Sequence, residues 1–227
     1  TDAELGWTDS VFDPEVLTIG FARRVATYKR LTLMMSDPER AVRLLESDRP
    51  IQILIAGKAH PRDDGGKGLI QALFQQRGRG PVGSRVIFLQ DYDLAMGARL
   101  TRGCDVWVNV PRPPLEASGT SGMKSAMNGG LNLSVLDGWW PEAHDGTNGW
   151  AISGDVDDDH AGQDGRDGAE LYRLLEEEVV PTYYDARAEW LSRVRRALIT
   201  CGPQFGAGRM VGDYVERMYS RVASPVS

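Results

Sequence analysis

Short apolar runs alternate with amphipathic stretches along the chain from about Val16 to Val135. Five runs consist almost entirely of aliphatic and β-branched residues: Val16–Phe21, Ile51–Ala56, Arg85–Leu89, Val106–Val108 and Leu131–Val135. Strands of this composition are typical of a parallel sheet that is covered by helices on both faces. The alternation therefore predicts an α/β fold with a Rossmann-like, doubly wound parallel sheet.

Helices are predicted between and after these strands. They cover Asp37–Leu45, Lys67–Gln76, Leu94–Leu100 and Met123–Asn128. After Asn148 we expect an acidic, glycine-rich loop, then a helical stretch interrupted at Pro181, then a terminal helix. These three segments are Asp155–Gly168, Ala169–Ile199 and Phe205–Val222. We therefore expect one domain over residues 1–227, with residues 169–227 as a helical C-terminal part packed on it.

Composition is typical of a soluble globular protein and narrows the choice of partners. Hydrophobic residues make up 41% and charged residues 26%, and the formal net charge is −6, which weighs against nonspecific nucleic-acid binding. No apolar run approaches the roughly 20 residues of a membrane helix, and no signal-like leader stands at Thr1. We expect a cytoplasmic protein without a nucleic-acid or membrane partner, and a fragment, because the chain starts with threonine.

Residues that form disulfides or bind metals are few. Cys104 and Cys201 could form a disulfide, but two separate thiols in a reducing cytosol are favoured. The three histidines are far apart in sequence. The acidic cluster between Asp155 and Asp159 lacks the alternating ligands and set glycine of a calcium loop. We therefore expect no metal site and an acidic cluster exposed to solvent.

In doubly wound folds, ligands bind at the carboxyl ends of the strands. The loop after the first predicted strand carries a cluster of positive charge, formed by Arg23, Arg24, Lys29 and Arg30. A solvated helix end is one interpretation of this cluster. Its position directly after a core strand favours the other interpretation, an anion-binding site.

The loop Glu116–Lys124, after the fourth predicted strand, combines glycines, hydroxyls and a lysine ahead of a helix. Gly119 and Gly122 permit tight turns and the close approach of a ligand, and the start of a helix suits a phosphate. The hydroxyls belong to Ser118, Thr120 and Ser121. Lys124, placed on the first helical turn, could hold an aldehyde as a Schiff base. Composition alone favours a simpler interpretation, a surface loop that caps a helix, with Lys124 in solvent.

The segment Glu116–Gly129 strongly resembles the pyridoxal phosphate motif of the α-glucan (glycogen, starch or maltodextrin) phosphorylase family. Gly20–Arg30 resembles the phosphate-binding segment of that family. Three further segments fit the family in the same order: Ile55–Pro61, Phe88–Tyr92 and Leu136–Gly138. The resemblance runs from about Leu17 to Ile152, and more loosely to the end of the chain.

The resemblance implies the C-terminal half of a GT-B glycosyltransferase fold, in which two lobes enclose the active cleft. This chain would be the C-terminal domain that binds cofactor and phosphate, and the N-terminal lobe, which helps to bind the sugar and the glucan, is missing. The implied reaction is pyridoxal-phosphate-dependent phosphorolysis of α-1,4-glucan by inorganic phosphate to glucose 1-phosphate, with retained configuration. We expect the fragment alone to be inactive, and the resemblance is compatible with a homo-oligomer.

Matched position by position, the motif implies how the chain would hold its cofactor. Lys124 falls on the Schiff-base lysine that binds pyridoxal 5'-phosphate covalently. Arg23 falls near the cofactor phosphate, where the animal enzymes have lysine, and Tyr92 falls on a tyrosine of the cofactor pocket. The loop that cradles the cofactor phosphate is formed by Gly119, Thr120 and Ser121.

The same match implies the substrate ligands. Arg24 and Lys29 fall on the ligands of inorganic phosphate, and with the cofactor lysine they are the expected catalytic residues. Glu116 falls on the carboxylate that hydrogen-bonds hydroxyls of the terminal glucose. Ser118 and Gly119 also face that sugar.

Three pairs of residues depart from the better-known glycogen and starch enzymes and look like the shorter, mainly prokaryotic branch. Ser121–Gly122 stands where those enzymes have Gly-Asn, Ala26–Thr27 stands where they have His-Glu, and the pair Trp139–Trp140 also differs. The two tryptophans could stack on sugar rings, but packing in the core or between domains is favoured. Lys58 and His60 are interpreted as ordinary loop residues.

Two other classes of function stay open at this point. A retaining glycosyltransferase that uses a sugar nucleotide tends to have a second glutamate eight residues after Glu116, where this chain has Lys124. A noncatalytic glucan-binding or regulatory remnant would not be expected to keep Lys124, Arg24 and Lys29. A glycosidase mechanism with paired carboxylates is disfavoured, because the motif contains one carboxylate.

Overall fold

The computed structural model describes residues 12–59, 62, 64–76 and 85–220. The strands are β1 (Leu17–Ala22), β2 (Ile51–Ala56), β3 (Val86–Leu89), β4 (Val106–Asn109), β5 (Leu131–Val135) and β6 (Gly149–Ile152). All pairings are parallel, in one sheet with the order β3-β2-β1-β4-β5-β6. This order reverses between β1 and β4, so the predicted α/β fold with a Rossmann-like, doubly wound sheet is confirmed.

Five of these strands were predicted, and β6 was missed. β6 is a four-residue strand at the edge of the sheet, and it begins with Gly149 at a φ of 155°. A Cβ at this position would lie 2.5 Å from the carbonyl oxygen of Asn132 on β5. The close approach of the β5 and β6 backbones therefore requires glycine at position 149. The same glycine weakens the strand pattern in the sequence, so β6 was missed.

The helices cover both faces of the sheet. They are α1 (Pro38–Glu46), α2 (Asp64–Gln76), α3 (Leu94–Gly103), α4 (Thr120–Ala126), α5 (Trp140–Ala143), α6 (His160–Leu174), α7 (Val180–Tyr184), α8 (Arg187–Phe205) and α9 (Ala207–Tyr214). Two 3-10 helices, Thr27–Lys29 and Leu31–Met35, follow β1. Two π-helical segments, Leu175–Val179 and Val215–Tyr219, continue α6 and α9.

The tryptophan pair belongs to the core, as predicted. Trp139 and Trp140 are 2% and 0% exposed, and they pack with Cys201 and Phe205 of α8. The Trp140 indole donates a hydrogen bond to the carbonyl oxygen of Trp150 at 3.1 Å. These contacts join the C-terminal helices to the β5–β6 side of the sheet.

The predicted acidic loop Asp155–Gly168 is wrong in its second half, because α6 already begins at His160. The Asp159 side chain caps the helix by accepting a hydrogen bond from the Gly162 N–H at 3.1 Å. The acids Asp164 and Asp167 pair with a buried arginine, Arg30. Glycine and aspartate are poor helix formers, so tertiary ion pairs decide the conformation here.

The helical C-terminal part breaks at other positions than predicted. The chain stays helical through Pro181, which follows the π-helical turn Leu175–Val179, and the break lies at Asp185–Ala186. The wider π turn relieves the clash between the proline ring and the preceding turn. The predicted terminal helix is confirmed: after the break at Gly206, α9 begins at Ala207 and continues into the π-helical segment Val215–Tyr219. The last residues of the predicted helix, 221 and 222, lie outside the described part of the chain.

Cys104 and Cys201 are both buried and free, as favoured by the sequence. Burial raises the pKa of the Cys104 thiol to about 12. Among the described residues, no group of histidine, cysteine or acidic side chains could hold a metal ion. None of the helices within those ranges is long and apolar enough to cross a membrane.

Two glycine substitutions should have opposite effects on stability. A Cβ at Gly20 of β1 would lie 2.6 Å from the Cys104 sulfur and 3.0 Å from the Trp107 ring, so we expect Gly20→Ala to cost about 1 to 3 kcal/mol. Gly165 is an exposed residue of α6 with open space around its Cα. Gly165→Ala should stabilise the chain by about 0.5 to 1 kcal/mol.

Urea unfolding measures both free energies of unfolding in the same buffer. Equal and small effects of the two substitutions would contradict the packing of β1 against α3 described here.

Candidate active site

The carboxyl ends of β1 and β4 lie side by side where the strand order reverses. Doubly wound sheets bind their ligands at such a point. The loop after β1 leads through the 3-10 helix Thr27–Lys29, and the loop after β4 leads to Glu116. The two loops are joined by the Arg112 N–H, which donates to the carbonyl oxygen of Tyr28 at 2.7 Å.

A buried group of three charges lies between these loops. Lys29 Nζ donates to Glu116 Oε2 at 2.8 Å, and Arg23 Nη2 donates to the same oxygen. The three side chains are between 6% and 8% exposed. Residues that were predicted to bind phosphate and sugar are thus in direct contact, although 87 and 93 positions separate the two cations from Glu116 in sequence.

The positive cluster predicted from sequence divides into three parts. Arg23 and Lys29 pair with Glu116, whereas the buried Arg30 pairs with acids of α6. Arg24 is exposed and has no hydrogen-bond or ion-pair partner in the described part of the chain. A solvated helix end is therefore wrong for the three buried cations, and Arg24 alone is open to solvent.

The charges set the protonation of the site. Burial raises the pKa of the Glu116 carboxyl, but the hydrogen bond from Lys29 and the positive charges of Arg23 and Lys29 outweigh burial and hold the pKa below its ordinary value. Burial lowers the pKa of Arg23 against the opposing effect of Glu116, although an arginine stays protonated at neutral pH. The site therefore contains one carboxylate and two cations, a net charge of +1 in a buried place.

Arg23 keeps unused hydrogen-bonding capacity. Its Nε and Nη1 atoms are buried and have no hydrogen-bond partner among the described residues. Buried donors without a partner are costly. Two such donors beside a second cation point to an anion as the missing partner.

Asp137 fixes the backbone at Glu116 and was not singled out from the sequence. Its Oδ2 accepts from the Glu116 N–H at 2.9 Å, and its Oδ1 accepts from the Gly138 N–H at 2.8 Å. The Trp139 N–H donates to the carbonyl oxygen of Ser118 at 2.9 Å. The segment Leu136–Gly138 was recognised as part of the family pattern, and this contact gives its aspartate a physical role.

Three residues of the glycine loop, Glu116–Lys124, have a visible structural role: Gly119, Ser121 and Gly122. Gly119 has a φ of 85°, which favours glycine. A Cβ at Gly122 would lie 2.6 Å from Asn132 Oδ1 and 2.8 Å from Trp139 Nε1. Gly122 is therefore needed to make room for Trp139. Ser121 beside it accepts a hydrogen bond from the Trp107 indole at 3.2 Å.

Lys124 lies on α4, but not on its first turn as predicted. α4 begins at Thr120, directly after the left-handed Gly119, because that turn leads the chain straight into the helix. Lys124 is therefore on the second turn. It is exposed, and its ammonium has no hydrogen-bond or ion-pair partner within the described ranges. Thr120 is also exposed, and Ser118 is half-buried.

Two of the remaining candidate residues, Tyr92 and Lys58, lie in the loops that follow β3 and β2. Tyr92 packs against the cluster that contains Ala22 and Trp107, and burial raises the pKa of its hydroxyl. Lys58 is exposed, as expected of a loop residue. His60 lies outside the described residues.

Comparison with known proteins gives one family. The model of the carbohydrate phosphorylases matches residues 11–159. A glycogen phosphorylase of Mycobacterium tuberculosis is 54% identical over 98% of this chain and 27% of its own length. A glycogen phosphorylase of Aquifex aeolicus is 46% identical over 92% of this chain and 31% of its own. A maltodextrin phosphorylase of Thermococcus litoralis is 44% identical over 92% of this chain and 25% of its own length. The chain thus spans only 25% to 31% of the length of these relatives.

Glu116 should stabilise the fold in a pH-dependent way. Because its pKa is lower in the folded than in the unfolded chain, its contribution is present above the ordinary value of 4.5 and is lost as the pH falls through the folded pKa. At pH 7, Glu116→Gln should cost about 3 kcal/mol, since it leaves buried cations without a counter-charge. Below the folded pKa, the difference from the wild type should shrink.

The free energy of unfolding in urea, measured across this pH range, checks the prediction. Glu142→Gln on α5 is the matched control, because Glu142 is an exposed glutamate. A Glu116→Gln variant whose destabilisation does not change with pH would contradict the buried charge cluster.

Proposed function

The chain belongs to the carbohydrate phosphorylase family, and we propose that it is the cofactor- and phosphate-binding part of an enzyme that cleaves α-1,4-glucan with inorganic phosphate to glucose 1-phosphate. The observation that carries this proposal is the buried cluster of Arg23, Lys29 and Glu116 at the point where the strand order reverses. It joins cations suited to a phosphate with an acceptor suited to sugar hydroxyls.

A longer protein is part of the proposal. The chain spans 27% of the M. tuberculosis relative, so most of such an enzyme lies elsewhere. We propose that this domain is the C-terminal lobe of a GT-B enzyme, and that a second, N-terminal lobe closes the cleft and completes the sugar and glucan sites. The chain alone would then be inactive.

Lys29 and Arg24 are the proposed ligands of the substrate phosphate. Lys29 is held inside the site, whereas Arg24 is exposed and unpaired in the described structure, so its guanidinium is free to bind phosphate oxygens with two parallel hydrogen bonds. Substrate phosphate and cofactor phosphate each carry about −1.5 to −2 charges near neutral pH. Their approach requires nearby cations, because like charges repel strongly where little water remains.

Glu116 is proposed to position the terminal glucose. Its lowered pKa keeps it ionised at neutral pH, and an ionised carboxylate only accepts hydrogen bonds. It therefore suits the hydroxyls of a sugar and does not suit proton donation to a leaving group. Ser118 and Gly119 on the same loop would contact the same sugar.

The residues present are suited to hold pyridoxal 5'-phosphate. Arg23 offers two buried hydrogen-bond donors without a partner among the described residues. Gly119, in a left-handed backbone conformation, directly precedes Thr120 and Ser121, the first two residues of α4. The exposed Lys124 would bind the cofactor covalently, and Tyr92 would line its pocket.

When bound, the cofactor supplies a phosphate that exchanges a proton with the substrate phosphate. Phosphate held on one face of the sugar by Lys29 and Arg24 would give a proton to the departing glycosidic oxygen. As that C–O bond breaks, the phosphate would bond to the anomeric carbon on the same face, with retained configuration.

The buried, unpaired thiols of Cys104 and Cys201 agree with a reducing compartment. We therefore propose that the enzyme acts in the cytoplasm.

Covalent binding at Lys124 is the sharpest test of the cofactor. The full-length protein is reduced with borohydride, digested and analysed by mass spectrometry, with Lys124→Ala treated in parallel. We expect a phosphopyridoxyl group on Lys124 in the wild type and none in the variant. An unmodified Lys124 in the full-length wild type would contradict the proposed function. Lys58, exposed on a neighbouring loop, is the internal control for nonspecific reaction.

A further inference from the structure

Arg30 is a buried arginine in a left-handed backbone conformation. Its φ is 48°, a region that residues other than glycine rarely adopt, and it is 3% exposed. It follows Lys29 directly and lies between the 3-10 helices Thr27–Lys29 and Leu31–Met35. Such a strained conformation persists only where the surroundings fix the residue, and it is concentrated at functional sites.

The Arg30 guanidinium is held from two directions. Nε donates to the carbonyl oxygen of Val110 at 2.9 Å, and Nη2 donates to that of Pro111 at 2.8 Å. Nη1 pairs with Asp164 at 3.0 Å and with Asp167 at 2.7 Å, both on α6. One planar side chain thus joins the segment that carries Lys29 to the loop after β4 and to a helix.

A second arginine fixes α6 against the same loop. Arg112 Nη2 donates to both carboxylate oxygens of Asp164, at 2.8 and 2.9 Å, and Nη1 donates to Gln163 at 2.7 Å. Paired hydrogen bonds of this kind fix geometry as well as contributing energy. Asp164, one of the two acids that pair with Arg30, is therefore itself held in place.

Glu116 has an anchor of its own that does not involve Arg30. Its backbone N–H is fixed by Asp137, in the loop after β5. Lys29, in contrast, is bonded directly to Arg30 in the chain, and its ammonium reaches Glu116 at 2.8 Å. A change at Arg30 should therefore displace Lys29 while the Glu116 side of the site stays in place.

We propose that Arg30, anchored by Asp164 and Asp167, is a positioning residue that holds Lys29 in place to bind the substrate phosphate. This inference rests on the proposed function, in which Lys29 is a phosphate ligand. It assigns to α6, outside the matched residues 11–159, a part in the reaction. Substitution at Arg30 should weaken the use of phosphate and leave the use of glucan unchanged.

Steady-state kinetics of the full-length protein test this inference with Arg30→Lys, which keeps the charge but cannot make the four contacts. Misplacing a reacting group by about 1 Å can cost about a hundredfold, so we expect kcat/KM for phosphate to fall at least about tenfold, with an unchanged KM for glucan. Arg40→Lys is the matched control, since Arg40 ties α1 to Glu176 away from the site. Arg40→Lys should change neither kcat/KM for phosphate nor KM for glucan.

Asp164→Asn is a milder second variant, in case Arg30→Lys does not fold. We expect a smaller decrease in kcat/KM for phosphate.

Chemical labelling tests the position of Lys29 without relying on activity. Acetic anhydride is applied to the wild type and the three variants, and acetylation of Lys29 is compared with that of the exposed Lys67 by mass spectrometry. We expect Lys29 to become more reactive in Arg30→Lys and Asp164→Asn but not in Arg40→Lys.

Equal labelling of Lys29 in all four proteins would overturn the inference, as would a KM for glucan that rises together with that for phosphate. A wild type without phosphorolytic activity would overturn the proposed function instead. The labelling would then decide on its own whether Arg30 positions Lys29.

Discussion

The pairing of the Glu116 carboxylate with Arg23 and Lys29 is the interaction on which the site depends. Removing one partner from a buried ion pair costs about 3 to 5 kcal/mol, so the loops after β1 and β4 must close on each other for the chain to fold well. Neither loop is regular enough to be held by backbone ladders alone. The charges that are proposed to bind the substrates also fix the shape of the site.

Two of these charged groups, Glu116 and Lys29, are supported by different elements. Asp137, after β5, fixes the backbone of Glu116, whereas α6 and the loop after β4 hold Arg30 and through it the segment of Lys29. Gly122 leaves room for Trp139, which packs the glycine loop against the core. The segment after β1 that carries Lys29 is thus supported by elements from the β4–β6 half of the sheet.

Sequence reasoning succeeded where the pattern is local. The aliphatic runs gave five strands, and the charged and glycine-rich motifs lay at the predicted edge of the sheet. It failed where distant contacts decide: α6 forms because its acids meet Arg30 across 134 positions, and α4 begins at Thr120 because of the backbone conformation of Gly119. Arg30 was grouped with the other cations, since its partners cannot be recognised before the fold is known.

Binding of inorganic phosphate, measured by isothermal titration calorimetry on the full-length protein, tests the central claim most directly: the cations at this edge form an anion site. Lys29→Met is compared with the wild type and with the double variant Lys29→Met/Glu116→Gln, in which the carboxylate charge is removed together with the lysine charge. We expect both variants to bind phosphate at least about tenfold more weakly, because a charge-assisted contact contributes roughly 1.5 to 3 kcal/mol. Wild-type affinity in both variants would show that phosphate binds elsewhere and would contradict the claim.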